Sequence, residues 1–313
     1  MRQAIPLCPI TGEPAAGRIQ PISKALLVNL WRWGVGVDVG ALMASARRLG
    51  LWRSPCGLAF FDPMIQGDEA FYSTFYGDRG ASERFLADPF KDRSDFLAAS
   101  RLIAPGARVL DVGCGSGPFR AYAPQADYVG LEPNHSGEDV APGVLKEGLE
   151  AHAADHAGAY DAVCAFHVIE HVSRPLDFAR TMLGMVKPGG LLILAAPSWP
   201  SPLTAIPNMV GNAPPHHLSW WTTEALAALA KALDLDVVEL AALAPHRQQM
   251  RFQWISRLSP VQAKGPFFAS RWTWIASVLI ANLLSGPAML TRRLPRRARS
   301  MEVFLAARKP GQA

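Results

Sequence analysis

The sequence predicts an α/β fold: a mostly parallel sheet of seven strands with helices on both faces. Three observations carry that prediction. An apolar strand runs straight into a glycine turn at Arg108–Gly117; short apolar runs then recur between helix-like segments; and the chain is long enough, with half of its residues hydrophobic, to bury such a sheet. Strands that alternate with helical patterns need crossover connections, which favour parallel pairing. With this much apolar side chain, disorder is excluded.

Strands are expected at 108–112, 128–131, 144–146, 160–166, 190–196, 236–243 and 302–307, and helices near 92–103, 175–186 and 223–233. The last helix opens at Thr222 or Thr223, with Glu224 suited to its first turn. Lys187-Pro188-Gly189-Gly190 stops the preceding helix and feeds the apolar run Leu191–Ala196. The chain divides into an aromatic N-terminal region (1–88) without a clear sheet pattern, a core (89–245), an apolar and basic insertion (246–299), and a last core strand with its tail (300–313).

Charge is unevenly placed. The whole chain carries +5, but residues 246–313 hold 12 Lys or Arg against the single acid Glu302, leaving the first 245 residues acidic. Within the insertion, Trp272–Leu290 is 19 residues without a charge, flanked by Arg271, Arg292 and Arg293. That length permits a membrane span. If 302–307 pairs with 236–243, however, both ends of the insertion lie on one side, so a helix in the membrane interface fits and a single span does not. An apolar lid over the core is the competing reading.

The sequence Arg108-Val109-Leu110-Asp111-Val112-Gly113-Cys114-Gly115-Ser116-Gly117 holds the most chemistry. Glycines permit positive φ and let a ligand approach the backbone. A dinucleotide pyrophosphate prefers the anion-attracting helix N-terminus, and Asp111 would repel it. A carboxylate there suits a cationic ligand. The glycine spacing also departs from G-x-G-x-x-G, which argues against a nicotinamide-dependent oxidoreductase. Glu132 closes the next strand, before Pro133, and its two oxygens can accept from both hydroxyls of a ribose.

The blocks VLDVGCGSGPF, YVGLEPN, YDAVCAFHVIEHVSRP, VKPGGLLILAAPS and HHLSWWTTEAL, in that order, resemble class I S-adenosylmethionine-dependent methyltransferases with a Rossmann-like sheet. They are most similar to the group that includes the ubiquinone-biosynthesis O-methyltransferases. The resemblance implies S-adenosylmethionine as cofactor, held by Asp111, Gly113, Cys114, Gly115, Gly117, Glu132 and Pro133, with Leu149 against the adenine and Phe166 and His167 beside the methionine portion. It implies catalytic candidates His167, His216 and His217. His167 and His171, four apart, would share a helical face beside Glu170, and Glu170 with His171 would brace the turn. This set falls short of a metal site, and none is assigned. Trp220 and Trp221 are either acceptor walls or anchors.

Cys8-Pro9-Ile10-Thr11 and Arg53-Ser54-Pro55-Cys56 resemble the two knuckles of a zinc ribbon with Thr11 and Arg53 at the other ligand positions, so metal binding there is expected to be lost. Scattered cysteines and the absence of a secretory signal predict a reduced, cytoplasmic setting, with peripheral contact to the inner membrane face. The expected acceptor is a small molecule, glycan or lipid-linked compound. Nucleic acid is disfavoured because the basic residues accompany an apolar run. A non-catalytic scaffold that keeps the fold remains the alternative.

Overall fold

A computed structural model describes residues 4–46, 48–76, 93–134, 140–291 and 293–311. The aromatic N-terminal region does contain a sheet. β1 (Gly17–Ile22), β2 (Leu49–Arg53) and β3 (Ala59–Asp62) pair antiparallel, and β9 (Ser219–Trp220) from the core adds a fourth strand. These strands are short and lack strict alternation, because Leu49–Trp52 and Ala59–Phe61 are buried on both faces. Helix α1 (Lys24–Gly34), capped by Ser23, and α2 (Glu69–Tyr76) cover the sheet, burying Leu27, Trp31, Phe71 and Phe75.

The core opens with α3 (Ser94–Ser100), β4 (Arg108–Val112), β5 (Asp127–Leu131), β6 (Val144–Leu145), α4 (Leu149–Asp155) and β7 (Tyr160–Phe166). There follow α5 (Pro175–Met185), β8 (Val186–Pro197), α6 (Pro202–Ala205), α7 (Thr223–Ala232), β10 (Asp236–Ala242), α8 (Met250–Leu258), α9 (Trp272–Leu290) and β11 (Glu302–Arg308). The strand order is β10-β11-β8-β7-β4-β5-β6. β4 to β8 pair in parallel, whereas β11 runs antiparallel to both β8 and β10. All seven strands occur where the pattern predicts them. The central ones, such as YDAVCAF, are almost continuously buried because helices press on both faces.

Two consequences position the site. Parallel pairing aligns Asp111 with Gly130 and with Cys164, so the carboxyl ends of β4, β5 and β7 form one rim. Pairing of β10 with β11 returns both ends of 243–301 to the same sheet edge. Between those ends α9 lies against α8, with Ser259 and Ser277 hydroxyls 2.8 Å apart and Arg251 donating to Asn282 Oδ1 at 3.4 Å. Arg292 and the expected helix start at residue 92 lie outside the described residues.

Candidate active site

The glycine turn forms as its sequence requires. Gly113 and Gly115 have φ of 67° and 57°, in the left-handed region. A Cβ on Gly113 would sit 2.6 Å from Val168, so the segment after β7 packs directly on the turn. A Cβ on Gly115 would meet nothing within 4 Å, which leaves open space above the backbone. Glu132 reaches across from β5: its Oε2 accepts from the Gly115 N–H and its Oε1 from the Asn134 N–H, both at 3.1 Å. Each carboxylate oxygen keeps a lone pair for a hydroxyl. This open backbone with a carboxylate at its side fits S-adenosylmethionine.

Asp111 is buried, at 2% exposure, and accepts a 2.9 Å hydrogen bond from Tyr128 Oη. Burial pushes its carboxyl up to about 7, against the Tyr128 bond and the nearby Arg93 guanidinium. Of the other expected cofactor residues, Cys114 is buried and Pro133 exposed beside the turn. Leu149 belongs to the apolar core at the start of α4. Phe166 packs between Phe96 and Phe119, with ring centroids 4.9 and 4.8 Å away.

His167 does not share a face with His171. Its φ of 59° places it off the helical path, and the 3₁₀ turn begins only at Ile169. The imidazole instead points at buried acids: Nε2 lies 3.5 Å from Asp95 and 3.4 Å from Glu302, and Nδ1 lies 3.6 Å from Glu170. Burial opposes its charged form, but these carboxylates outweigh that and hold its pKa well above 6.5. The surrounding carboxylates therefore favour the charged form of His167. Around it, Asp95 is paired with Arg93, and Glu302 accepts from Ser94 at 2.9 Å and Gln249 at 2.9 Å and contacts His246 Nε2 at 3.1 Å. Burial and Glu302 push Asp95 up, yet Arg93 and His167 keep it below its ordinary value. Sequence reading missed Arg93, Asp95, Tyr128 and Glu302, although Glu302 is conspicuous as the lone acid of a basic tail.

His171, His216 and His217 form a second cluster, their rings 4.4 to 4.9 Å apart. Burial and neighbouring histidines hold His216 and His217 well below 6.5, hence neutral. The loop carrying them is tied to the turn after β7 by the Leu218 N–H to Glu170 carbonyl bond of 2.7 Å. His171 braces this junction, its Nδ1 donating to the His216 carbonyl at 2.8 Å. Among the described residues the Glu170 carboxylate accepts no hydrogen bond, and its Oε1 lies 3.6, 3.7 and 4.0 Å from His167, His171 and His217. Trp220 and Trp221 are anchors: both are buried, and Trp220 donates to the Asn212 carbonyl at 2.8 Å.

In the N-terminal region the two knuckle loops do meet. Cys8 and Cys56 sulfurs lie 3.8 Å apart, and Cys8 accepts from the Ile10 and Thr11 N–H groups at 3.4 Å. A groove of about 790 Å³ lined by Cys56, Trp199, Thr222 and Arg299 lies apart from the glycine turn.

The model of the methyltransferase domain matches residues 82–240, just over half of the chain. The chain belongs to this methyltransferase family. Among curated relatives, the ubiquinone biosynthesis O-methyltransferase of Xanthomonas campestris pv. campestris (strain B100) is 37% identical over 115 residues, covering 33% of this chain and 48% of the relative. That of Shewanella halifaxensis is 36% identical over 102 residues, 29% and 43% respectively. The chain spans about half the length of these relatives. Among solved structures, a SAM-dependent methyltransferase from Archaeoglobus fulgidus gives a TM-score of 0.44 at 17% identity, covering 77% of this chain and 98% of that one. The plantazolicin methyltransferase BpumL, in complex with a desmethyl analogue and SAH, gives 0.46 at 14%, covering 77% and 95%. The methyltransferase family expected from the motifs is thus the family of this chain. The nicotinamide alternative is set aside.

Proposed function

We propose that the enzyme methylates an oxygen of a small-molecule, glycan or lipid-linked acceptor at the surface of an anionic membrane, on its cytoplasmic face. The observation that carries the membrane half is α9. Its buried positions are Trp274, Ser277, Ala281 and Ser285, mostly small, while Trp272, Ile275, Leu279, Leu283, Leu284 and Leu290 are exposed. A water-soluble helix turns its large apolar residues inward; this one turns them outward. It is long and apolar enough to cross a membrane by length and composition, with 22% of it buried. Both ends of its segment, however, return to one sheet edge, which favours lying in the interface. Exposed Arg271, Arg293, Arg296, Arg297 and Arg299 supply charge complementary to acidic lipid.

S-adenosylmethionine supplies an already activated methyl group, so the chain's work is positioning and exclusion of water. Glu132 and the Gly115 backbone fix the nucleoside end. Charged His167, held by Asp95 and Glu302 at the end of β7, secures the rim on which the acceptor hydroxyl is received. Neutral His216 and His217 are in the state needed to take its proton. Flotation with anionic vesicles tests the membrane reading: the wild-type chain should float, and Leu279→Glu/Leu283→Glu should stay with the soluble fraction. Equal flotation of both proteins refutes it. Release of S-adenosylhomocysteine with hydroxylated lipid-like acceptors tests the chemistry.

A further inference from the structure

The second histidine cluster is built as a ligand set. In all three imidazoles Nδ1 is committed to a protein oxygen: His171 to the His216 carbonyl at 2.8 Å, His216 to the Gly211 carbonyl at 2.7 Å, His217 to Asn212 Oδ1 at 3.0 Å. An Nδ1–H donor fixes the tautomer and leaves Nε2 with its lone pair, which is how proteins orient metal-binding histidines. One ring nitrogen from each of the three lies within 4.8 Å of the others. Tetrahedral zinc with Zn–N of 2.0–2.1 Å spaces its nitrogens by about 3.4 Å, so a modest convergence of side chains closes the set.

An independent observation points to the same space. Glu170 is 1% exposed and, among the described residues, neither carboxylate oxygen has a hydrogen-bond partner. Its Oε1 lies 3.7 Å from His171 Nε2 and 4.0 Å from His217 Nε2. Those two nitrogens and the carboxylate converge on one buried space without a hydrogen bond among them. Such an arrangement is costly unless a cation sits between them. His167 Nδ1 lies 3.6 Å from Glu170, while its Nε2 faces Asp95 and Glu302.

We propose that His171, His216, His217 and Glu170 bind one divalent transition-metal ion of the zinc type. Three imidazoles with one carboxylate suit a borderline ion rather than magnesium or calcium, which prefer oxygen. Tyr76 Oη now caps His216 Nε2 at 2.6 Å. Tyr76 is half exposed and can swing outward to release that nitrogen. The ion would turn the three imidazoles from proton acceptors into ligands, and it would lie beside His167 at the rim where acceptors are expected.

The test is binding, not catalysis, so its failure leaves the methyltransferase reading intact. Chelator-stripped full-length protein is titrated with Co²⁺ and followed by visible absorption. One equivalent should bind with the intense d–d bands of a four-coordinate site and no thiolate charge-transfer band. Glu170→Gln, His171→Gln and His217→Gln should each weaken binding by at least 100-fold with an unchanged circular dichroism spectrum. Tyr76→Phe keeps all four ligands and removes the cap, so it should bind at least as tightly as wild type with the same spectrum. Absence of binding to the stripped wild type overturns the proposal. So does loss of binding in Tyr76→Phe, retention in Glu170→Gln, or a thiolate band abolished by Cys8→Ser/Cys56→Ser.

Discussion

The two ends of the rim are built on opposite plans. At β4 and β5 the expected cofactor residues come from one continuous stretch, 111–117, and the next strand end, Glu132, where backbone N–H groups bond the carboxylate and Asp111 accepts from Tyr128. At β7 the residues come from four distant segments. Asp95, His167–His171, His216–His217 and Glu302 converge, with ion pairs joining Asp95, His167 and Glu302 and backbone hydrogen bonds tying in the His216–His217 loop. The first plan tolerates an open, solvated ligand site. The second concentrates buried charge, which is stable only while every member is present.

That contrast sets the largest expected effect. Removing one partner from a buried ion cluster leaves the others uncompensated, at a cost of about 3–5 kcal/mol. His167→Gln should lose stability of this order in urea unfolding, because Asp95 and Glu302 then face each other without their shared cation. His167→Gln/Glu302→Gln should recover part of the loss. If the single change costs no more than a surface substitution, about 0.5 kcal/mol, the charged-cluster description of this end is wrong.

At the other end the effect should appear in ligand affinity and leave the fold intact. Glu132→Ala removes acceptors for both ribose hydroxyls, each charge-assisted bond contributing about 1.5 kcal/mol or more. Affinity for S-adenosylhomocysteine, measured by calorimetry, should fall by about 100-fold while the unfolding midpoint stays nearly constant. An equal affinity would remove Glu132 from the site and erase the comparison.

The same contrast explains what the sequence made legible. All seven core strands could be placed, because buried parallel strands are continuous apolar runs separated by turn residues. The cradle was readable because its parts are contiguous and glycine at positive φ has few alternatives. Asp95 gave no signal: it sits in an ordinary helix start, 72 residues before the histidine it pairs with. The left-handed backbone at His167 also defeated the i, i+4 argument, since residue spacing locates a face only within a continuous helix. The N-terminal sheet was missed for a related reason. Its strands β2 and β3 are buried on both sides, and Ser219–Trp220 completes the sheet from afar, so neither alternation nor locality marks it. The outward apolar face of α9 was readable as a long uncharged run, but only the fold shows which side is turned out.

The smallest expected effect is a slope. Asp111 is raised from 3.8 to about 7 because it is buried, so a large fraction is protonated at neutral pH in the free protein. The sign for stability follows: native Asp111 holds its proton more tightly than the unfolded chain, so its contribution is full below about 3.8 and is lost as pH rises to about 7. Binding works in the reverse direction. A ligand carrying an ammonium and a sulfonium prefers the ionised carboxylate, so affinity for S-adenosylmethionine should rise between pH 6 and about 8, by several-fold, as Asp111 surrenders its proton to solvent. S-adenosylhomocysteine lacks the sulfonium and should show a shallower rise. Asp111→Asn, which keeps the Tyr128 contact but has no proton to lose, should flatten both curves. If the wild-type curves are already flat over this range, Asp111 stabilises the turn and takes no part in attracting the cofactor's charge.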